Sequence, residues 1–173
     1  GQNIYVGVNP RKKGTRKRAN AADVEIAFWQ FADLDKKEAV QAAETGMTLR
    51  PNMVVVTGYT PYLRPHFYWK LDEPVRNLSA WTDRQSGIAS ALDGDAVINP
   101  DRIMRLAGSV NFPTQDKLKR GYETELTKLK TEFSVERPDC YEPQELAAAF
   151  PCQKNDAGIP VSGQNTLQAM ART

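Results

Sequence analysis

The chain has 173 residues, 40% hydrophobic and 25% charged, the balance of one globular domain of ordinary size. Two cysteines (Cys140 and Cys152) and one histidine (His66) exclude a disulfide framework, a four-ligand zinc site and any metal motif that needs two histidines. The net charge is only +2, no apolar run approaches the roughly 18 residues that cross a bilayer, and no charged-then-apolar leader is visible, so no membrane partner is expected.

In chain order, Ile4 to Val8 reads as a short strand ended by Asn9-Pro10. A basic loop follows, with Arg11, Lys12, Lys13, Arg16, Lys17 and Arg18 placing six cations in eight residues. Such a block is either a solvated loop or a footprint for a phosphate-rich partner. Val24 to Phe31 is rich in strand formers and delivers Asp33 and Asp35 at its C-terminal end. Lys36 to Thr45 predicts a helix that stops at Gly46. Met53 to Thr57 and Phe67 to Leu71 predict two strands, joined by the turn-rich stretch Gly58 to His66. Asn77 or Ser79 is placed to cap a helix that runs to about Leu92. Pro100 to Leu106 suggests a short helix with proline in its first turn. Lys117, Lys119 and Arg120 make a second basic cluster, and Tyr122 to Leu129 alternates as a strand. Glu136 to Asp139 reads as a linker, Pro143 to Phe150 as a short helix, and Pro151 to Gly163 as a loose segment. Strands and helices mix without a βαβ rhythm, which predicts an α+β fold with a mostly antiparallel sheet. The catalytic region is expected over 1–133, with 134–173 as a linker and a short helical C-terminal segment.

The chemistry-bearing residues start with Asp33 and Asp35. Positions i and i+2 of a strand face the same side, so the two carboxylates converge, and like charges that close repel unless a cation sits between them. With one histidine available, such a cation is held by carboxylates and is a hard ion such as magnesium or manganese. Asp93-Gly94-Asp95 offers a third acid or a solvated turn. Three carboxylates holding two metals suit phosphoryl transfer. Arg64 and His66 lie next to a strand opposite this pair and become candidates for binding a triphosphate. Arg102 and Arg105, three apart, share a face of the expected short helix. Gly108 to Asn111 is a small-residue turn where backbone amides can approach a phosphate. Tyr59, Tyr62 and Trp69 are base-stacking candidates, Trp69 equally a core residue.

Taken together, these segments resemble a known family. Thr57-Gly58-Tyr59-Thr60-Pro61-Tyr62-Leu63-Arg64-Pro65-His66-Phe67-Tyr68-Trp69-Lys70-Leu71-Asp72-Glu73-Pro74 is similar to the second motif region of the archaeo-eukaryotic primase superfamily. Arg102 to Pro113 resembles the Arg-x-x-Arg-Leu-Pro-Gly-Thr-x-Asn signature of its RepB-like primase and primase-polymerase branch, found in plasmids, phages and mobile elements. Ala32 to Asp35 resembles its metal-binding first motif, and Tyr5 to Arg11 fits an upstream stretch. The likeness covers roughly Ile4 to Leu129. It departs where Arg64-Pro65-His66 replaces Ser-x-His, with Thr57 or Thr60 left to supply the hydroxyl, and where Ala107 replaces proline.

The resemblance implies two α/β modules, the second like an RNA-recognition-motif sheet, with the active site in the cleft between them. It implies template-directed joining of nucleoside triphosphates on single-stranded DNA by a two-metal mechanism with Mg2+ or Mn2+. Asp33, Asp35 and Asp95 (or Asp93) would be catalytic metal ligands, and Arg64, His66, Arg102, Arg105 and Asn111 would bind nucleotide. The loop cations Arg11, Lys12, Lys13, Arg16, Lys17 and Arg18 would hold the template. The expected setting is the cytoplasm of a bacterial or phage-infected cell, with a replicative helicase as a further partner. Such domains carry helices ahead of the first strand, so the chain is expected to be a trimmed catalytic fragment.

Two rival classes share features of this pattern. A TOPRIM nuclease needs a glutamate on an earlier strand, and Glu25, the one glutamate before Asp33, is too close to it. A glycosyltransferase leaves the basic loop and the Arg-x-x-Arg-Leu segment unexplained. A non-catalytic single-stranded-DNA or origin-binding module would share the basic and aromatic residues but has no need of Asp33 and Asp35.

Overall fold

The computed structural model describes residues 1–16, 20–130 and 136–154. Within them the chain forms strands β1 (Tyr5–Gly7), β2 (Ala27–Asp33), β3 (Met53–Gly58), β4 (Arg64–Val75), β5 (Ile103–Arg105), β6 (Val110–Asn111), β7 (Glu125–Leu126) and β8 (Lys128–Lys130). The helices are α1 (Lys37–Gly46), α2 (Leu78–Ala91), α3 (Gln115–Lys119) and α4 (Pro143–Ala149). The expected α+β class with antiparallel sheet is what the chain adopts.

The central sheet runs β2-β4-β3-β8, and β1-β5 and β6-β7 form two smaller sheets. β4 is the long middle strand because its aromatic run Phe67-Tyr68-Trp69 is buried on both faces of the sheet. Its alternation sends Arg64 and His66 to one face, and Pro65 and Phe67 to the other, where α1 packs with Val40, Ala43 and Met47. Helix α2 starts where Asn77 accepts the Ala80 N–H at 3.2 Å, so Asn77 rather than Ser79 is the cap. Its Trp81 is fully buried against Phe31 of β2, ring centroids 5.8 Å apart.

The segment after residue 135 adds Tyr141, Leu146 and Phe150 to the same core, with the Phe150 ring 5.6 Å from that of Trp69. Gly87 on α2 makes this docking possible, since a Cβ there would run into the Phe150 carbonyl.

Three sequence expectations are corrected. Pro100 to Leu106 is not a helix: Ile103–Arg105 is strand β5, paired with β1 in the register Tyr5↔Arg105. Proline fits an N1 position, yet β1 offers a strand edge, and pairing with it decides the conformation. Tyr122 to Leu129 is not one strand. β7 pairs with β6 and β8 pairs with β3, and Thr127 between them is fully buried. The Thr127 hydroxyl and backbone bond Ser109 and Leu106, so one residue joins two sheets. Gly108 to Asn111 is more than a turn, because Val110–Asn111 is β6.

Candidate active site

Strand β2 ends on Asp33, which pairs with His66 of β4 across the sheet. The imidazole Nε2 lies 3.3 Å from Asp33 Oδ1. Burial by itself would raise the Asp33 carboxyl. The His66 hydrogen bond and charge, with Arg102 and Lys117 nearby, outweigh burial and hold it below its ordinary value. Two residues on, Asp35 sits just past the strand, its carbonyl accepting the Tyr62 hydroxyl at 2.9 Å and its Oδ2 only 2.5 Å from Lys117 Nζ.

The loop after α2 brings the third acid. The Asp95 N–H donates to the Asp33 carbonyl at 2.9 Å. Burial and the charges of Asp33 and Asp35 push the Asp95 carboxyl above its ordinary value. Asp93 turns away to pair with Lys36 at 2.7 Å, so of the two acids only Asp95 lines the cavity.

That cavity, about 310 Å³, is walled on one side by Asp33, Asp35, Thr57, Arg64 and His66 from the main sheet. Opposite stand Tyr5 of β1, Arg102 to Arg105 at β5, Asn111 of β6 and Lys117 of α3. The structure therefore gathers Asp33, Asp35, Asp95, Arg64, His66, Arg102, Arg105 and Asn111 around one space. Arg11, Lys12, Lys13 and Arg16 are not among its lining residues, and Lys17 and Arg18 lie outside the described residues.

The gathered side chains are engaged differently. Arg64 is 3% exposed, and its guanidinium is bound by Glu125 at 2.9 Å and by the Thr60 and Tyr62 carbonyls. Arg64, a phosphate-binding candidate from the sequence, thus braces the turn through Thr60 and Tyr62. Glu125 completes the brace by accepting the Tyr59 and Thr60 N–H groups. Gly58 belongs to it too, since a Cβ there would collide with the Arg64 guanidinium and the Glu125 carboxylate. Asn111 donates to the Thr57 carbonyl at 2.8 Å, tying β6 to β3. Thr57, one of the two hydroxyl candidates, lines the cavity and donates to the Arg64 carbonyl at 3.1 Å. Arg105 stacks on the Tyr5 ring at 4.5 Å, and burial lowers its pKa. Its Nη1 is buried without a protein partner, as is His66 Nδ1. A buried guanidinium nitrogen without an acceptor is suited to an incoming anion.

Reading the sequence missed Lys117 and Tyr122 as site residues. Tyr122 is a hub: Arg64, Lys117 and Arg120 lie over its ring at 4.6, 5.1 and 5.1 Å, and its hydroxyl is 2.6 Å from that of Tyr62. Burial and that hydrogen bond push Tyr62 up to about 12. A signal for Lys117 existed in Thr114, whose hydroxyl caps α3 by accepting the Lys117 N–H at 3.3 Å.

Asp33 and Asp35 themselves offer carboxylate oxygens, the ligand chemistry of magnesium and manganese. Among the described residues no three His, Cys, Asp or Glu groups close into a metal cage. Magnesium is commonly held by one or two carboxylates with water and substrate phosphates, so two carboxylates on one cavity are a sufficient protein share.

No family model and no curated protein matches the chain. Among solved structures, the archaeo-eukaryotic primase domain of the cyanophage S-2L primase-polymerase superposes with a TM-score of 0.60 at 25% identity. The match spans 86% of this chain and 70% of that one. With the antiparallel architecture described above, this makes the chain a domain of the archaeo-eukaryotic primase type.

Proposed function

We propose that this domain is the catalytic part of a primase or primase-polymerase, joining NTPs or dNTPs on a single-stranded DNA template. The observation that carries the reading is the convergence of Asp33, Asp35 and Asp95 with Arg102, Arg105 and His66 on one cavity, from segments far apart in sequence. Acids and cations interleaved around one cavity match a substrate that carries phosphates and needs a divalent ion between itself and the protein.

Asp33 and Asp35 are the residues to hold Mg2+ or Mn2+, with Asp95 beside them. When bound there, the ion supplies activation of a 3′-hydroxyl and neutralises charge on the triphosphate. The chain's own groups do the rest. His66 fixes the Asp33 carboxylate in position, and its hydrogen bond helps keep that carboxylate ionised. Arg102 and Arg105, which line the cavity, are the residues to hold the phosphates. Tyr5, half exposed on the wall and backed by Arg105, offers a flat surface for a sugar or base. The basic loop is the proposed template hold, and a helicase the proposed neighbour in replication.

The test is primer synthesis on single-stranded circular DNA with labelled nucleotides and Mn2+ or Mg2+, using the native chain and Asp33→Ala/Asp35→Ala. Oligonucleotides from the native chain alone support the reading. If neither chain makes product or extends a supplied primer, while both bind single strands tightly, the domain is a non-catalytic binding module instead.

A further inference from the structure

Lys117 holds the acid that a divalent ion would need. Its Nζ is 2.5 Å from Asp35 Oδ2, and the two side chains are 35% and 23% exposed, so water screens the pair only in part. The lysine is not a loose surface chain. It stands on α3, whose first turn is fixed by the Thr114 cap, and its ammonium lies 5.1 Å from the centre of the Tyr122 ring. Asp35 is fixed as well, through the Tyr62 hydroxyl on its carbonyl, and Tyr62 is bonded in turn to Tyr122. Lysine and aspartate are thus braced by the same tyrosine pair.

The rest of the cavity shows the same pairing of charges. Asp33 is matched by His66 and the nearby Arg102, whereas burial, and then the charges of Asp33 and Asp35, raise Asp95. Lys117 is therefore the tethered positive charge in direct contact with Asp35. A divalent ion arriving alone must break this contact and leave an ammonium beside a dication, an arrangement that like-charge repulsion disfavours. A nucleoside triphosphate changes the balance, because its phosphate oxygens give the ammonium another partner within the same cavity.

We propose that Lys117 is a resident cation that blocks divalent-ion binding at Asp35 until a nucleoside triphosphate draws it away, so that ion and nucleotide enter together. The proposal deepens the polymerase reading and rests on Asp33 and Asp35 as the divalent-ion site. Its physical content is a positive coupling between two ligands, created by a side chain that competes with one and binds the other.

The test is Mn2+ binding followed by electron paramagnetic resonance and by calorimetry, with and without a non-hydrolysable deoxynucleoside triphosphate. The proteins are the native chain, Lys117→Met, Lys117→Arg and Asp35→Asn, each first checked for a native thermal transition. Lys117→Met is expected to bind Mn2+ without nucleotide about tenfold more tightly than the native chain, within the usual 5- to 150-fold range of such couplings. It is expected to bind the analogue less tightly, so that the gain in Mn2+ affinity on adding nucleotide shrinks. Lys117→Arg retains the charge and should stay near native. Equal or weaker Mn2+ affinity in Lys117→Met, with Asp35→Asn still abolishing binding, overturns the proposal and leaves the metal-site reading standing. Absence of Mn2+ binding in every protein, with or without the analogue, removes both.

Discussion

Gln85 pairs with Phe31 as a neighbouring strand would. Its Oε1 accepts the Phe31 N–H at 3.2 Å and its Nε2 donates to the Phe31 carbonyl at 2.6 Å. β2 is the edge of the central sheet, so this single amide covers an otherwise open ladder. The same Nε2 donates to the Val97 carbonyl at 3.0 Å, and Gln85 Oε1 also accepts from Gln30 at 2.8 Å. The loop carrying Asp95 is thereby fastened to the strand that carries Asp33.

Gln85→Leu, similar in bulk, strands several buried polar groups at once and is expected to cost about 3 kcal/mol of stability. Gln85→Glu keeps the acceptor but loses the donor to Phe31 and Val97. Urea unfolding of both variants should rank them native, then Glu, then Leu; a Leu variant as stable as native contradicts the pairing described.

Glu125→Ala removes the partner of a nearly inaccessible guanidinium and two N–H acceptors on the 59–60 turn. Breaking a buried ion pair from one side costs about 3 to 5 kcal/mol. The expected outcome is a large loss of stability by chemical denaturation, with the double variant Glu125→Leu/Arg64→Met recovering much of it. No recovery would mean that the brace, not the charge imbalance, dominates.

The two acids on the shared Asp33–Asp95 backbone contact have opposite pH signatures. Asp33 is depressed, so its contribution is complete above the ordinary value of 3.8 and is lost as pH falls below that into its folded pKa. Asp95 is raised, so it favours the fold only while protonated, and stability declines as pH climbs from 3.8 through its folded pKa. Asp95→Asn is therefore expected to raise the melting temperature at pH 7 and to remove the decline above pH 3.8. A melting temperature at pH 7 unchanged or lowered speaks against a cost of burying the charged Asp95 beside the other acids.

Arg105 keeps a buried nitrogen without an acceptor, which costs stability in the free protein. Arg105→Met is expected to stabilise the unliganded domain by about 1 kcal/mol while weakening triphosphate binding. Thermal melts with and without nucleotide check both halves, and a variant that melts lower than native without ligand refutes the first.

Short-range signals were enough for much of this architecture. The β-branched run Val54-Val55-Val56, the aromatic run from Phe67 and the Asn77 cap each fix their element locally, and the structure has them there. The cavity-lining residues Asp33, Asp95, His66 and Arg105 could be named in advance as candidates because each lies in a short, chemically unusual stretch. What escaped depends on partners distant in sequence. Ile103–Arg105 became a strand only because β1, nearly a hundred residues earlier, was there to pair with it. Lys117 looked like one of three clustered cations until α3 set it against Asp35, 82 positions away. The contact of Arg64 with Glu125, 61 positions away, was equally invisible, because nothing local announces it.

The passage of one peptide segment through two sheets at Thr127 has a mechanical consequence. Residue 126 belongs to the wall that carries Asn111, and residue 128 to the sheet that carries Thr57 and His66. No slack chain separates them at that point, so the walls cannot swing apart there as jaws on a loose hinge. Widening the gap would first have to tear the buried hydroxyl from Leu106 and Ser109. Any change in the width of the cavity thus falls to side chains such as Tyr5, Arg105 and Lys117, and the spacing of its walls is built into the backbone.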